Sequence, residues 1–193
     1  EISILYLLLY TLAFIYILTV VTQMIRSIQL SEIIISVLLA VCLLFYLASL
    51  LQTYRLQQEF LQLGKYNNHF IAHWLSSAMI VIILYRLIQS VKFNKAALKN
   101  SFDFLTWILC VIIVLFLSAE IHLLCNSVFY TADNPLNNIY RIYIKTGLPI
   151  LWGLCSFAFM WLGMHYKFRT LRIISLSLFT LTLLKLFIFD IRN

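Results

Sequence analysis

Six stretches of this chain are too long and too apolar to be anything but membrane-crossing segments, and they fix its fold class before any single residue is weighed. The first, Ile2 to Met24, carries no charged side chain. The others lie near Ile33 to Gln52, Phe70 to Ile88, Phe104 to Leu124, Gly147 to Met164 and Leu171 to Phe189, each bounded by polar residues. Crossing about 30 Å of hydrocarbon takes roughly 20 residues of helix. Helix is required because lipid offers backbone N–H and C=O groups no partner, so they must pair within the segment. The sequence therefore predicts an all-α, polytopic transmembrane helix bundle of about six spans, with residues 1–193 forming a single transmembrane domain.

Composition excludes a water-soluble alternative. The chain is 63% hydrophobic and 11% charged, with a mean hydropathy of +0.97, whereas an ordinary globular domain is about a quarter charged. Its 14 Lys and Arg and 7 Asp and Glu are too few for a polar shell. The net charge of +7 is scattered between apolar runs and forms no basic stripe, so no nucleic-acid partner is expected. The expected partner is the lipid bilayer, with other membrane subunits beside it. The chain enters its first apolar run directly from Glu1, and that run exceeds a signal-peptide core and lacks a basic start. The expectation is a fragment of a longer multispan protein.

Basic residues mark topology. Arg26, Arg86, Lys92, Lys95, Lys99, Lys167, Arg169 and Arg172 fall on one side of the alternating spans, and Arg55, Lys65, Arg141, Lys145 and Arg192 on the other. The richer side is predicted cytoplasmic. Among the connections, Arg26 to Ser31 reads as a tight hairpin with Ser31 as helix cap. Thr53 to Asn68 reads as an interfacial turn or a helix extension, because Leu56, Phe60 and Leu63 recur at near-helical spacing. Lys92 to Asn100 reads as a basic loop. Asn126 to Thr146, with its Asp133-Asn134-Pro135 turn signal, reads as a structured external loop. Pro149 marks the start of the fifth span.

No nucleotide-binding loop, GxSxG elbow or HExxH pair is present, and the four cysteines have no CxxC spacing. No cofactor and no metal are expected. With only four glycines, helix packing is expected to rest on large aliphatic and aromatic side chains rather than on GxxxG crossings.

The chemistry left to consider lies in ionisable residues near span ends, which are costly in lipid and so are functional candidates. Glu120 and His122 sit two residues apart, roughly 200° around a helix, and cannot share a face. Lys185 and Asp190 close the sixth span. Alternating passage of the helices puts Glu120, His122, Lys145, Lys185, Asp190, His69 and His73 at one boundary, the outer one. Two readings follow. In one, Glu120 pairs with Lys185 across the bundle, with His73 or His122 adjacent, as a proton-handling or anionic-substrate site. In the other, these are hydrated or ion-paired structural residues.

Four segments carry a family resemblance: Leu117-Ser118-Ala119-Glu120-Ile121-His122, Leu148-Pro149-Ile150-Leu151-Trp152-Gly153, Leu171-Arg172-Ile173-Ile174-Ser175-Leu176 and Leu181 to Asp190, ending Lys185-Leu186-Phe187-Ile188-Phe189-Asp190. Residues 115 to 192 resemble the C-terminal part of a bacterial predicted-membrane-protein family of unknown function, numbered 2339. The resemblance implies matched positions at Glu120, Arg172, Lys185 and Asp190 and residence in a bacterial inner membrane, but no activity. Function then reads as a transporter-like bundle or a scaffold or subunit of an envelope assembly. The alternative is a membrane enzyme acting on a lipid-linked envelope substrate, with Glu120 as base and Lys185 or Arg141 holding the anionic headgroup.

Overall fold

The structure is a computed structural model and describes residues 2–24, 32–64, 67–93, 102–131 and 135–191, with side chains at all of these but 2, 22–24, 32, 33, 35, 36, 67, 68, 90–93 and 189–191. The Arg26 to Ser31 hairpin with its Ser31 cap, most of the Lys92 to Asn100 loop, and Asp133 and Asn134 lie outside these residues. The helices are α1 (Ile2–Met24), α2 (Glu32–Leu63), α3 (Ile71–Phe93), α4 (Phe102–Phe129), α5 (Leu136–Ile142), α6 (Leu148–His165) and α7 (Arg169–Ile191). A 3-10 turn at Asn67–Phe70 leads into α3, and a π-turn at Tyr143–Gly147 joins α5 to α6. Among the described residues six spans are long and apolar enough to cross a membrane: Ser3–Val21, Val37–Leu63, Ile71–Gln89, Phe102–Phe129, Leu136–His165 and Arg169–Ile188. The all-α, six-span expectation holds.

Hydroxyl side chains are frequent in these spans because each can return its proton to its own helix. Thr11 donates to the Leu8 carbonyl, Thr19 to Tyr16, Ser76 to Ala72, Thr106 to Phe102, Ser118 to Val114 and Thr182 to Leu178. A hydroxyl satisfied in this way is tolerated in hydrocarbon.

The chain forms two compact units, Glu1–Leu98 and Lys99–Asn193. The first packs α1, α2 and α3 against one another. Leu5, Leu8 and Leu12 of α1, Leu39, Leu43 and Tyr46 of α2, and Ile80, Ile83 and Leu87 of α3 are buried, each set at the three- and four-residue spacing of one helix face. Of the two readings of the Thr53 to Asn68 stretch, helix extension is correct as far as Leu63. There Gly64 turns the chain with φ +60°, the left-handed conformation that glycine adopts most cheaply after a helix.

In the second unit α6 and α7 form a tight antiparallel hairpin. The Phe168 N–H donates to the Gly163 carbonyl (2.9 Å) and the Lys167 N–H to that of Met164 (3.1 Å), the paired bonds of a Schellman ending. Lys167 holds the left-handed position at φ 51°. Close approach follows from small residues, which departs from the expectation of packing by large side chains alone. A Cβ on Gly163 would lie 2.8 Å from Arg172 Cγ and 3.1 Å from the Arg172 backbone nitrogen. One face farther along, the buried Ser156 hydroxyl donates to the Ser175 carbonyl (3.0 Å). The α4 helix joins the hairpin at its start, where the Thr170 hydroxyl donates to Asp103 Oδ1 (2.5 Å) and the Phe102 and Phe168 rings meet at 5.4 Å. Cys110, Val114, Leu151, Cys155, Phe159 and Ile174 form the core between α4, α6 and α7.

The Asn126 to Thr146 loop is a correction. The α4 helix continues to Phe129, and residues 136–147 are helical and continuous with the fifth span. Leu136, Ile139 and Tyr143 are buried, an apolar stripe at helical spacing hidden in the sequence by Asn137, Asn138, Arg141, Lys145 and Thr146. Pro149 stands in the first turn of α6, as expected, but the membrane span that includes it begins earlier, at Leu136. The proline ring lacks an N–H and would collide with the carbonyl four residues earlier in a regular helix. The π-turn before it absorbs that conflict, with the Leu148 N–H reaching back five residues to the Tyr143 carbonyl.

Candidate functional site

Depth along the second unit can be read from helix rise, about 1.5 Å per residue, starting at the end where Asp103 and Thr170 meet. Ser118 on α4 is about 24 Å from Phe102, and Lys185 on α7 is about 24 Å from Arg169. Trp152 on the antiparallel α6 is about 20 Å from His165. These three residues are therefore level, near the far side of a hydrocarbon layer about 30 Å thick. Glu120, His122, the π-turn and Asp190 fall at about 27 to 33 Å on the same scale, at the boundary itself.

At this level a polar network centres on Ser118. Its hydroxyl donates to the Val114 carbonyl (2.7 Å) and its oxygen accepts the Trp152 indole N–H (3.1 Å). Its backbone carbonyl accepts the Tyr143 hydroxyl proton (2.6 Å). The Lys185 ammonium stands over the Trp152 ring, 5.2 Å from its centroid, within cation–π range. On the boundary side the His122 ring stacks on Tyr143 (centroids 4.9 Å apart, planes 25° apart) and meets Tyr140 at 5.4 Å. Gly147 is required beneath it, since a Cβ there would lie 2.8 Å from Tyr143 Cδ2. The π-turn thus does structural work at this level. It carries Tyr143 over Gly147 and onto α4.

Ser118 and His122, four residues apart, share the face of α4 that meets these rings. Glu120 is buried, 8% exposed, on the other side of α4, about 160° from both. Lys185 meets an aromatic ring of α6. The Asp190 backbone belongs to α7, and its carboxylate lies outside the described side chains. Arg141 and Lys145 are exposed on the helix at the same boundary. Among the described residues no three His, Cys, Asp or Glu side chains gather as metal ligands would.

His73 belongs to the first unit, buried among aromatic rings. It lies 4.9 Å from Phe70, 5.6 Å from Trp74 and, stacked, 6.1 Å from Tyr46. Near it His69 Nδ1 and the Tyr6 hydroxyl are hydrogen bonded at 2.9 Å. Sequence reasoning overlooked Ser118, Tyr140, Tyr143 and Trp152 as members of a site. The available signal was the Ser118 and His122 pair at helical spacing inside an apolar run.

The sequence model of a family described as "Predicted membrane protein (DUF2339)" matches residues 2–193. The chain belongs to this family. The match takes in the first three spans as well as the segment from 115 to 192 that carries the quoted motifs. No curated protein and no solved structure matches the chain. Six apolar spans and family membership together make this an integral membrane protein embedded in a lipid bilayer. Within this member of the family, Arg172 packs its side chain against Gly163, Lys185 caps the Trp152 ring, and Glu120 is buried in α4.

Proposed function

We propose that the protein is a non-enzymatic, multispan subunit or scaffold of an assembly in a bacterial inner membrane, with the Tyr166 to Phe168 turn toward the cytoplasm. The observation that carries this reading is the use made of Ser118. Its hydroxyl proton is held by the Val114 carbonyl, its oxygen takes the Trp152 N–H, and its carbonyl takes the Tyr143 proton. A nucleophile or proton relay needs a hydroxyl hydrogen-bonded to a base, whereas this one locks three helical segments together. The orientation rests on the eight Lys and Arg residues that the alternating spans assign to that side.

Transporters of known design break their helices near the bilayer midplane. The irregular backbone here, Tyr143–Gly147, lies at boundary depth, which favours a subunit over a transport pathway. An enzyme with Glu120 as base would need that carboxylate and a headgroup-holding cation to face one space. Glu120 is turned away from the side of α4 that meets Tyr143 and Trp152, which weighs against that class.

Extraction of the full-length protein from its native membrane in mild detergent tests the proposal. The expected result is a complex of fixed stoichiometry with at least one other membrane protein, unchanged in Glu120→Gln. Turnover of a lipid-linked substrate that is lost in Glu120→Gln would overturn it.

A further inference from the structure

The second unit carries a cleft of about 230 Å³ between α4, α6 and α7. It runs from Trp107 to Leu115 on α4 and from Ile174 to Leu181 on α7, and Trp152 lines it at the boundary end. Along α4 this is about 12 Å of bilayer depth, from about 8 to about 20 Å on the scale used above, so it spans the middle of a hydrocarbon core about 30 Å thick, within reach of the distal half of an acyl chain that enters from the Lys185 boundary. Its walls are apolar. The one hydroxyl among them, Ser177, gives its proton to the Ile173 carbonyl of its own helix (3.0 Å), so it offers water little. A cleft of this kind stays dry and takes hydrocarbon.

Charged residues flank both ends: near the α6–α7 turn Asp103, one turn before Trp107, accepts the Thr170 hydroxyl proton, and Lys185 stands at the boundary end. Lys185 follows Leu181 by one turn of α7 and so stands at the boundary end of the same face, with its ammonium over the ring of Trp152. Its depth, about 24 Å from the cytoplasmic-side end of α7, lets a long side chain reach the headgroup layer. Arg141 and Lys145 add exposed positive charge at the same boundary.

We infer that this cleft is a binding site for an anionic phospholipid of the leaflet at the Lys185 boundary, with one acyl chain between α4 and α7 and the phosphate at Lys185. Hydrocarbon gains little by leaving lipid for a protein groove, since both are apolar. The acyl chain therefore supplies fit, and the headgroup supplies selectivity. One lysine near a membrane surface favours an anionic over a zwitterionic lipid by about fivefold. This inference stands apart from the subunit reading, because a lipid here would serve an enzyme or a transporter equally.

The test reconstitutes the full-length protein in nanodiscs of equal phosphatidylglycerol and phosphatidylcholine, re-extracts it, and measures by native mass spectrometry the lipids that stay bound. Wild type is expected to retain phosphatidylglycerol over phosphatidylcholine by about fivefold. Lys185→Arg should keep that ratio, Lys185→Met should bring it to about one, and Lys167→Met at the opposite end should leave it unchanged. Val111→Phe, which places a ring in the cleft wall, should lower retention of both lipids while Lys185 is intact. This variant keeps the inference falsifiable if Lys185→Met does not fold. A wild-type ratio near one, a preference that survives Lys185→Met, or full retention in Val111→Phe overturns the inference.

Discussion

Replacing two glycines of α6 by alanine should shift stability by different amounts. At Gly163 the new Cβ would stand 2.8 Å from Arg172 Cγ, 3.1 Å from the Arg172 backbone nitrogen and 3.4 Å from the Leu171 carbonyl carbon. Carbon atoms settle at about 3.5 to 4.0 Å from one another. Arg172 can swing its side chain aside, but its nitrogen moves only if α7 moves, by a few tenths of an ångström against the Ser156 to Ser175 contact and the Schellman bonds. Overpacking of that kind costs about 1 to 3 kcal/mol. The better helix propensity of alanine returns at most about 1 kcal/mol at either glycine and cancels between them, so Gly163→Ala should be about 1 to 3 kcal/mol less stable than Gly153→Ala. At Gly153 nothing lies within 4 Å of the new Cβ, so the propensity gain stands alone and the variant should be neutral or more stable by up to about 1 kcal/mol. Reversible unfolding in mixed dodecylmaltoside and dodecylsulfate micelles, followed by circular dichroism, reads both. A Gly163→Ala protein as stable as the Gly153→Ala protein would refute the close approach of α6 and α7 at Gly163.

Three further outcomes follow from the same geometry. Lys167→Gly should stabilise the hairpin by up to about 1 kcal/mol, because Lys167 holds a left-handed φ of 51° that glycine adopts without its Cβ penalty; micelle unfolding measures it. Trp152→Phe keeps a ring under Lys185 but removes the donor to Ser118. It should cost about 0.6 kcal/mol, the typical worth of a hydrogen bond between membrane helices, and a cycle with Ser118→Ala should account for nearly all of that loss. Deleting Thr146 should be tolerated, because removing one residue from the Tyr143–Gly147 turn restores regular helix on both sides. Deleting Ala158 in regular α6 should instead misfold the protein, and yield of monodisperse protein in detergent compares the two.

The six spans were legible in the sequence because length without charge is a signal that needs no partner: Ile2 to Met24 can be placed without knowing what it touches. The fifth span was legible only in its second half. In its first half Leu136, Ile139 and Tyr143 carry the apolar stripe, while the Asn-Pro turn and five polar neighbours make the stretch resemble a loop. Pro149 does mark the first turn of α6, but the π-turn that joins that helix to the preceding one leaves no sequence mark, so the span itself starts earlier than the proline announces. Depth could also be derived: alternation alone puts Glu120, His122 and Lys185 at one boundary of the second unit. Contacts could not, because they depend on how each helix is rotated about its axis. That rotation turns Ser118 rather than Glu120 toward Trp152 and Tyr143, and gives Lys185 an aromatic ring. His73 sits in the first unit among Tyr46, Phe70 and Trp74, packing that no spacing in the sequence announces.

The central claim is that the Ser118 network and the α6–α7 turn lie at opposite faces of one membrane, with the turn cytoplasmic. Cysteine labelling tests this most directly, because Lys145 and Lys167 are both exposed, Lys145 at boundary depth in the π-turn, about 30 Å from His165, and Lys167 just past the opposite end of the fifth span. With Cys42, Cys110, Cys125 and Cys155 replaced, Lys145→Cys should react with a membrane-impermeant maleimide in intact spheroplasts. Lys167→Cys should react only after the membrane is opened. Reversed labelling would contradict the orientation, and labelling of both positions from the same side would contradict the fifth span and the boundary site built upon it.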